Sequence, residues 1–270
     1  MEFKNKQFDG LYEVSEIQIN NEGQIFRGLL YFPPQEFIKP YPIVIYFHGF
    51  PQLFTLQEIV KSYKYILDLG YSFLAFNFRG YRFSEGNISI KSQVSDSLKL
   101  IKFLELMAKD NIFKIDDINI IGHDFGAYIA LILCSMVKNI NKFLLISPIL
   151  DLEKHVYNDN FIKILNYINH FLPGNVKGIS NINKFIELTK KELECNDFQI
   201  RKFITQVNVK KLKILIGGRD KVTPLSEANE ILKNLNVEYD LVIKDNIDHD
   251  FLTEDDLMIA EEEIKKFFES

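Results

Sequence analysis

Five residues near the middle of the chain, Gly122-His123-Asp124-Phe125-Gly126, have the types and spacing of a sharp turn that holds one side chain at its tip. They follow the apolar stretch Ile118-Asn119-Ile120-Ile121 and precede a run that is apolar nearly all round. Strand, tight turn, helix is the context in which a nucleophile is pushed out of a sheet. The glycines are needed because neighbouring backbones come close there. The backbone N–H of Phe125, at the start of the helix, faces the same point. An Asp that merely caps the helix is the plainer reading of this turn taken alone. Serine must lose a proton to attack and needs a base, whereas Asp, with a reference pKa of ~3.9, is already ionised at neutral pH.

Three further motifs bear on Asp124. His48-Gly49-Phe50-Pro51 comes directly after a buried-strand pattern. Its glycine lets the backbone approach, and the N–H of Phe50 is placed to be a second donor to an oxyanion beside that of Phe125. The His48 side chain itself reads as structural, bonded to loop backbone. Gly217-Gly218-Arg219-Asp220 lies just past another strand. Asp220 there can orient a histidine, or simply make an Asx-turn. Asp248-His249-Asp250-Phe251 follows the last strand and precedes the last helix, which makes His249 the candidate base. Asp124, Asp220 and His249 thus occur in the chain order turn, acid, histidine.

The elements that must position these residues can be read from periodicity. Residues 11–20 and 24–32 predict a β-hairpin around Asn21-Glu22-Gly23. Short apolar runs at 43–47, 72–78, 117–121, 143–147, 213–216 and 239–243 predict strands, the first two of them buried. Helical spacing at 56–69, 91–109, 125–137, 225–235 and 253–268 falls between and after them. The alternation predicts a mostly parallel sheet of about eight strands with helices on both faces. Residues 151–212 break the rhythm, being helical in pattern and too long for a simple connection. The expected organisation is a core of residues 1–150 and 213–270, with 151–212 as a small helical cap over the strand ends where ligands bind.

On these four motifs the chain resembles the α/β-hydrolase superfamily over essentially its whole length. The elbow and His48-Gly49-Phe50-Pro51, with Phe78-Arg79-Gly80-Tyr81, resemble its Asp-nucleophile branch: epoxide hydrolases, haloalkane dehalogenases and fluoroacetate dehalogenases. Arg82-Phe83-Ser84-Glu85-Gly86 and His249-Asp250-Phe251 resemble serine esterases and peptidases of the same fold. The first resemblance implies attack by Asp124 at a saturated carbon and an alkyl ester that His249-activated water hydrolyses. Haloalkane dehalogenases hold halide with tryptophan, which this chain lacks. Fluoroacetate dehalogenases carry Arg where Phe125 stands. Epoxide hydrolases protonate the opening oxygen with two cap tyrosines, a role the resemblance gives to Tyr157 and Tyr167.

Composition narrows the classes. The chain has 270 residues, 47% hydrophobic and 26% charged, with a net charge of −5. That is an ordinary globular balance with no basic excess for nucleic acid or an anionic membrane surface. Two cysteines make no disulfide framework, and no secretory leader or spanning segment is visible, so a cytoplasmic setting is expected. No metal or cofactor is expected, the partner is a small-molecule substrate, and the oligomeric state is open. Three functions remain: an Asp-nucleophile hydrolase; an esterase or peptidase lineage in which Asp replaces Ser; and a non-enzymatic binding module that keeps the pocket.

Overall fold

The computed structural model describes residues 7–251 and 254–270. The chain opens with β1 (Gln7–Asp9), β2 (Tyr12–Asn21) and β3 (Gln24–Tyr31), of which the last two form the expected hairpin. Then follow β4 (Tyr41–Phe47), α1 (Leu56–Ser62), α2 (Tyr65–Asp68), β5 (Ser72–Asn77), α3 (Ile90–Lys109), β6 (Phe113–His123), α4 (Phe125–Met136) and β7 (Ile140–Ile146). Next come α5 (Leu152–Val156), α6 (Asp159–Phe171), α7 (Ile182–Leu193), α8 (Ile200–Phe203) and a 3₁₀ turn at Ile204–Gln206. The chain closes with β8 (Lys211–Gly217), α9 (Leu225–Leu232), β9 (Tyr239–Lys244) and α10 (Glu254–Glu269).

Among the described residues the strands make one nine-stranded sheet in the order β1-β2-β3-β5-β4-β6-β7-β8-β9. The first three pairings are antiparallel, and every pairing from β5 across to β9 is parallel. Parallel strands with helices on both faces must be apolar on both sides. Alternate residues of β4 accordingly enter two cores. Ile43, Ile45 and Phe47 join the side covered by α3, α4 and α9. Val44 and Tyr46 join the side covered by α1, α2 and α10. Helix α4 is buried from Phe125 to Cys134, as its uninterrupted apolarity requires.

The sequence pattern at 56–69 predicts one helix, and the structure has two. Tyr63 ends α1 with its N–H shared between the carbonyls of Ile59 and Val60, and α2 restarts at Tyr65. The break lets Ile59, Val60, Ile66 and Leu67 all reach the same core. Strand β1 escapes the sequence reading because its three residues are exposed and carry no periodicity. Between Leu152 and Gln206 all regular structure among the described residues is helical.

Candidate active site

Strand β6 ends at His123, and Asp124 turns the chain directly into α4 with φ 52° and ψ −120°. A non-glycine residue held there stores roughly 1–3 kcal/mol of strain. The turn survives because its neighbours can pack nowhere else. A side chain at Gly126 would run into the backbone of Phe47 and His48, and one at Gly122 would lie 2.8 Å from Ala127 Cα. The backbone of Asp124 is pinned by its N–H to the Ile146 carbonyl at 3.1 Å. Its side chain is therefore aimed out at the carboxyl end of the sheet, where β4 and β8 also deliver their loops.

The carboxylate meets partners on both oxygens. Oδ2 accepts the Phe50 N–H at 2.6 Å, and Oδ1 lies 3.1 Å from His249 Nε2. His249 Nδ1 lies 2.8 Å from Asp220 Oδ2. Asp220 is fixed in turn by the N–H groups of Val222 and Thr223, each 2.8 Å from Oδ1. Phe125 is the first residue of α4, so its N–H has no intrahelical acceptor. Asp124 and Asp220 are both 6% exposed, so the chain Asp124–His249–Asp220 is nearly out of water.

Electrostatics follow from this packing. Burial pushes the Asp124 carboxyl up, but His249 and the Phe50 N–H overcome it and hold the group below the usual carboxylate range. Burial pulls His249 down, while hydrogen bonds and charge from Asp124 and Asp220 raise it to about 10. His48 is buried and pulled down to about 4. Its Nδ1 faces the Gly49 carbonyl at 2.9 Å, and its Nε2 accepts the Phe78 N–H at 3.3 Å. It braces the Phe50 loop and does not face Asp124, as the sequence suggests.

Beside this cluster is a narrow apolar pocket whose free interior space is about 20 Å³. Phe50 and Phe125 form its inner wall, and α3, α5, α6 and α7 supply Ile90, Leu152, Phe161 and Phe185 among others. Its polar side chains are Ser89, His155 and Thr189. The hydroxyl of Ser89 is occupied in capping α3, and that of Thr189 bonds the Phe185 carbonyl. His155 packs its ring 4.8 Å from Phe161, and burial lowers its pKa. Sequence reasoning missed this residue; the signal available was Leu152, His155 and Val156 at i, i+3 and i+4.

The structure gathers Asp124, His249, Asp220, Phe50 and Phe125 but not the two tyrosines. Tyr157 is 59% exposed at the end of α5, under the Lys190 ammonium, and Tyr167 is 55% exposed, its ring tilted against that of Phe171. Neither lines the cavity. Helix α6 buries Phe161, Leu165 and Ile168, and that choice of face turns Tyr167 outward.

Residues 42–191 match the family described as alpha/beta hydrolase fold. The chain belongs to this family. As an α/β hydrolase it shares its architecture with alpha/beta hydrolase GrgF from Penicillium sp. sh18, at TM-score 0.69 and 16% identity over 95% of this chain and 98% of that one. An esterase from Pyrococcus furiosus superposes at TM-score 0.68 and 20% identity, covering 96% of this chain and 90% of the other. In sequence it is similar to lysophosphatidylserine lipase ABHD12 of Xenopus tropicalis, 25% identical over 135 residues, which are 48% of this chain and 34% of the lipase. The chain spans about a third of the length of the curated relatives it matches. The family match gives the chain the alpha/beta hydrolase fold. Among the described residues no helix is long and apolar enough to cross a membrane.

Proposed function

We propose that this α/β hydrolase cleaves a small, largely apolar substrate by displacement at a saturated carbon, with Asp124 as nucleophile and His249 and Asp220 completing a catalytic triad. The observation that carries the reading is the two-ended hold on the Asp124 carboxylate, 2.6 Å from the Phe50 nitrogen and 3.1 Å from His249 Nε2. In this reading Oδ1 attacks and Oδ2 stays with Phe50 as a future carbonyl oxygen. The N–H groups of Phe50 and Phe125 then form the oxyanion hole for the second step. Attack of a carboxylate on an ester carbonyl would give a reactive anhydride; attack on an alkyl carbon gives a stable ester. Residues 151–212 act as a cap whose α5, α6 and α7 close the apolar pocket that Phe50 and Phe125 share beside Asp124. With Tyr157 and Tyr167 on the outer surface, the reading favours a leaving group that departs as a stable anion, such as halide, over an epoxide oxygen that needs a proton.

The trap is His249→Gln. Incubated with panels of alkyl halides, epoxides and esters, it should accumulate one covalent equivalent on Asp124, because attack needs no base and hydrolysis does. Intact mass with peptide mapping reads the adduct. The named relatives favour a second reading, a serine-esterase lineage in which Asp124 replaces the nucleophile. Asp124→Ser then gains ester hydrolysis, since His249 and Asp220 already stand where a hydroxyl would be activated. No adduct with any electrophile, together with strong esterase activity in Asp124→Ser, overturns the first reading in favour of the second.

A further inference from the structure

We propose that His249 rests as an imidazolium clamped between Asp124 and Asp220, and becomes a general base only after Asp124 has lost its charge. The inference rests on the Asp-nucleophile reading for what removes that charge, but not for the resting state itself.

The resting state follows from counting donors. Nδ1 faces Asp220 Oδ2 at 2.8 Å and Nε2 faces Asp124 Oδ1 at 3.1 Å. A neutral imidazole has one N–H and one lone pair, so in that form one of the two contacts would set lone pair against carboxylate. Both carboxylates are favoured as anions by hydrogen bonds to their far oxygens, Oδ2 of Asp124 from Phe50 and Oδ1 of Asp220 from Val222 and Thr223, so the shared proton belongs on the ring. The two other histidines near the ring would repel its charge only if they were themselves protonated, which burial disfavours. His123 at the end of β6 and His155 on α5 interact with it, and burial lowers the proton affinity of both; Asp250 on the same loop offsets part of this at His123. The elevated proton affinity of His249 agrees with this arrangement.

A clamped imidazolium cannot take a proton from water. In the first step Asp124 Oδ1 bonds to the substrate carbon as the carbon–leaving-group bond breaks, and the leaving group departs with its electron pair. The new ester is uncharged, so Nε2–H loses its anionic acceptor and gives its proton to solvent. In the second step water attacks the ester carbonyl carbon and passes one proton to Nε2. The oxyanion on Oδ2 collapses, the ester C–O bond breaks, and water's second proton ends on the alcohol oxygen. The overall reaction releases one proton, and this scheme places that release in the first step. Water activation is thereby withheld until there is an ester to hydrolyse.

The experiment is ¹⁵N NMR of the imidazole nitrogens across pH, in the full chain and in Asp124→Asn, whose neutral amide imitates the ester, with His249→Gln assigning the signals. The expected result is that both His249 nitrogens stay protonated at pH 8 in the parent, and that Asp124→Asn weakens proton affinity about a hundredfold. Loss of the proton between pH 6 and 7 in the parent would overturn the proposal, and needs no variant to be folded. An unchanged titration in a folded Asp124→Asn would overturn it as well. A second arm follows pH-indicator absorbance in weak buffer after mixing with a primary alkyl bromide. One proton should appear with the bromide burst; release only with the slower alcohol-forming phase contradicts the scheme. If the NMR result holds and no bromide is released, the resting charge stands and the Asp-nucleophile reading is what fails.

Discussion

Replacing Gly49 by Ala tests the two-step account where the geometry is tightest. A β-carbon at this position would lie 2.7 Å from Asp124 Oδ2 and 2.8 Å from Asp124 Cβ. Non-bonded carbons settle at roughly 3.5–4.0 Å, so the carboxylate or the loop must give by about 1 Å. That displacement stretches the 2.6 Å contact between Phe50 N–H and Oδ2 beyond hydrogen-bonding range. In the account Oδ2 carries the negative charge of the second step. Removing one donor to such an oxyanion costs about 10²–10³ in rate, and a 1 Å misplacement costs on the order of 10². Ester hydrolysis should therefore slow about a hundredfold, with overpacking lowering stability by roughly 1–3 kcal/mol. Rapid quench followed by intact mass measures the two steps separately, and calorimetry reports the fold. The alkyl-enzyme should accumulate during turnover in Gly49→Ala. If hydrolysis stays within about threefold of the parent, the Phe50 amide does not serve the reacting oxygen and the assignment of Oδ2 is wrong.

Three further outcomes follow. His249 has its proton affinity raised in the fold from 6.5 to about 10. Its stabilising contribution is therefore complete below about pH 6.5 and is lost as pH rises toward 10; the melting temperature should fall across that window, and His249→Gln should flatten the fall. Asp124 is held below the usual range, so its contribution is present above its unfolded pKa and fades as acid protonates it, a change that Asp124→Asn should remove from the acid limb of the same melting profile. Tyr157→Phe and Tyr167→Phe should leave turnover within about twofold of the parent, because both rings sit on the outer surface; a loss of a hundredfold or more in either would return the cap tyrosines to the chemistry.

The parts of the fold legible in the sequence were those where one physical requirement dominates. Parallel strands buried on both faces left continuous apolar runs, and β4, β5, β7 and β8 fall on them within a few residues. The four motifs were legible because each needs glycine or an acid at a strand tip, and the sheet order then brings Asp124, Asp220 and His249 within hydrogen-bonding distance in sequence. Tyr157 and Tyr167 show where the pattern gives out. A helix of alternating apolar residues offers more than one plausible face, and tertiary packing chose Phe161, Leu165 and Ile168 as the inner one. His155 was easily passed over: α5 is five residues long, so the i, i+3, i+4 spacing of Leu152, His155 and Val156 is a single turn of pattern with no second turn to repeat it. The helix break at Tyr63 is likewise a choice made by the core under α1 and α2, not by local propensity.

The central claim is that Asp124 itself becomes bonded to substrate. A single turnover in H₂¹⁸O, with enzyme in excess over an alkyl substrate found in the adduct screen, tests it most directly. Water attacks the carbonyl carbon of the ester in the account, so the product alcohol takes its oxygen from the old carboxylate. The account predicts ¹⁸O in the peptide carrying Asp124 and unlabelled alcohol after the first turnover. Labelled alcohol with an unlabelled Asp124 would mean that water attacks the substrate directly, and would contradict the account.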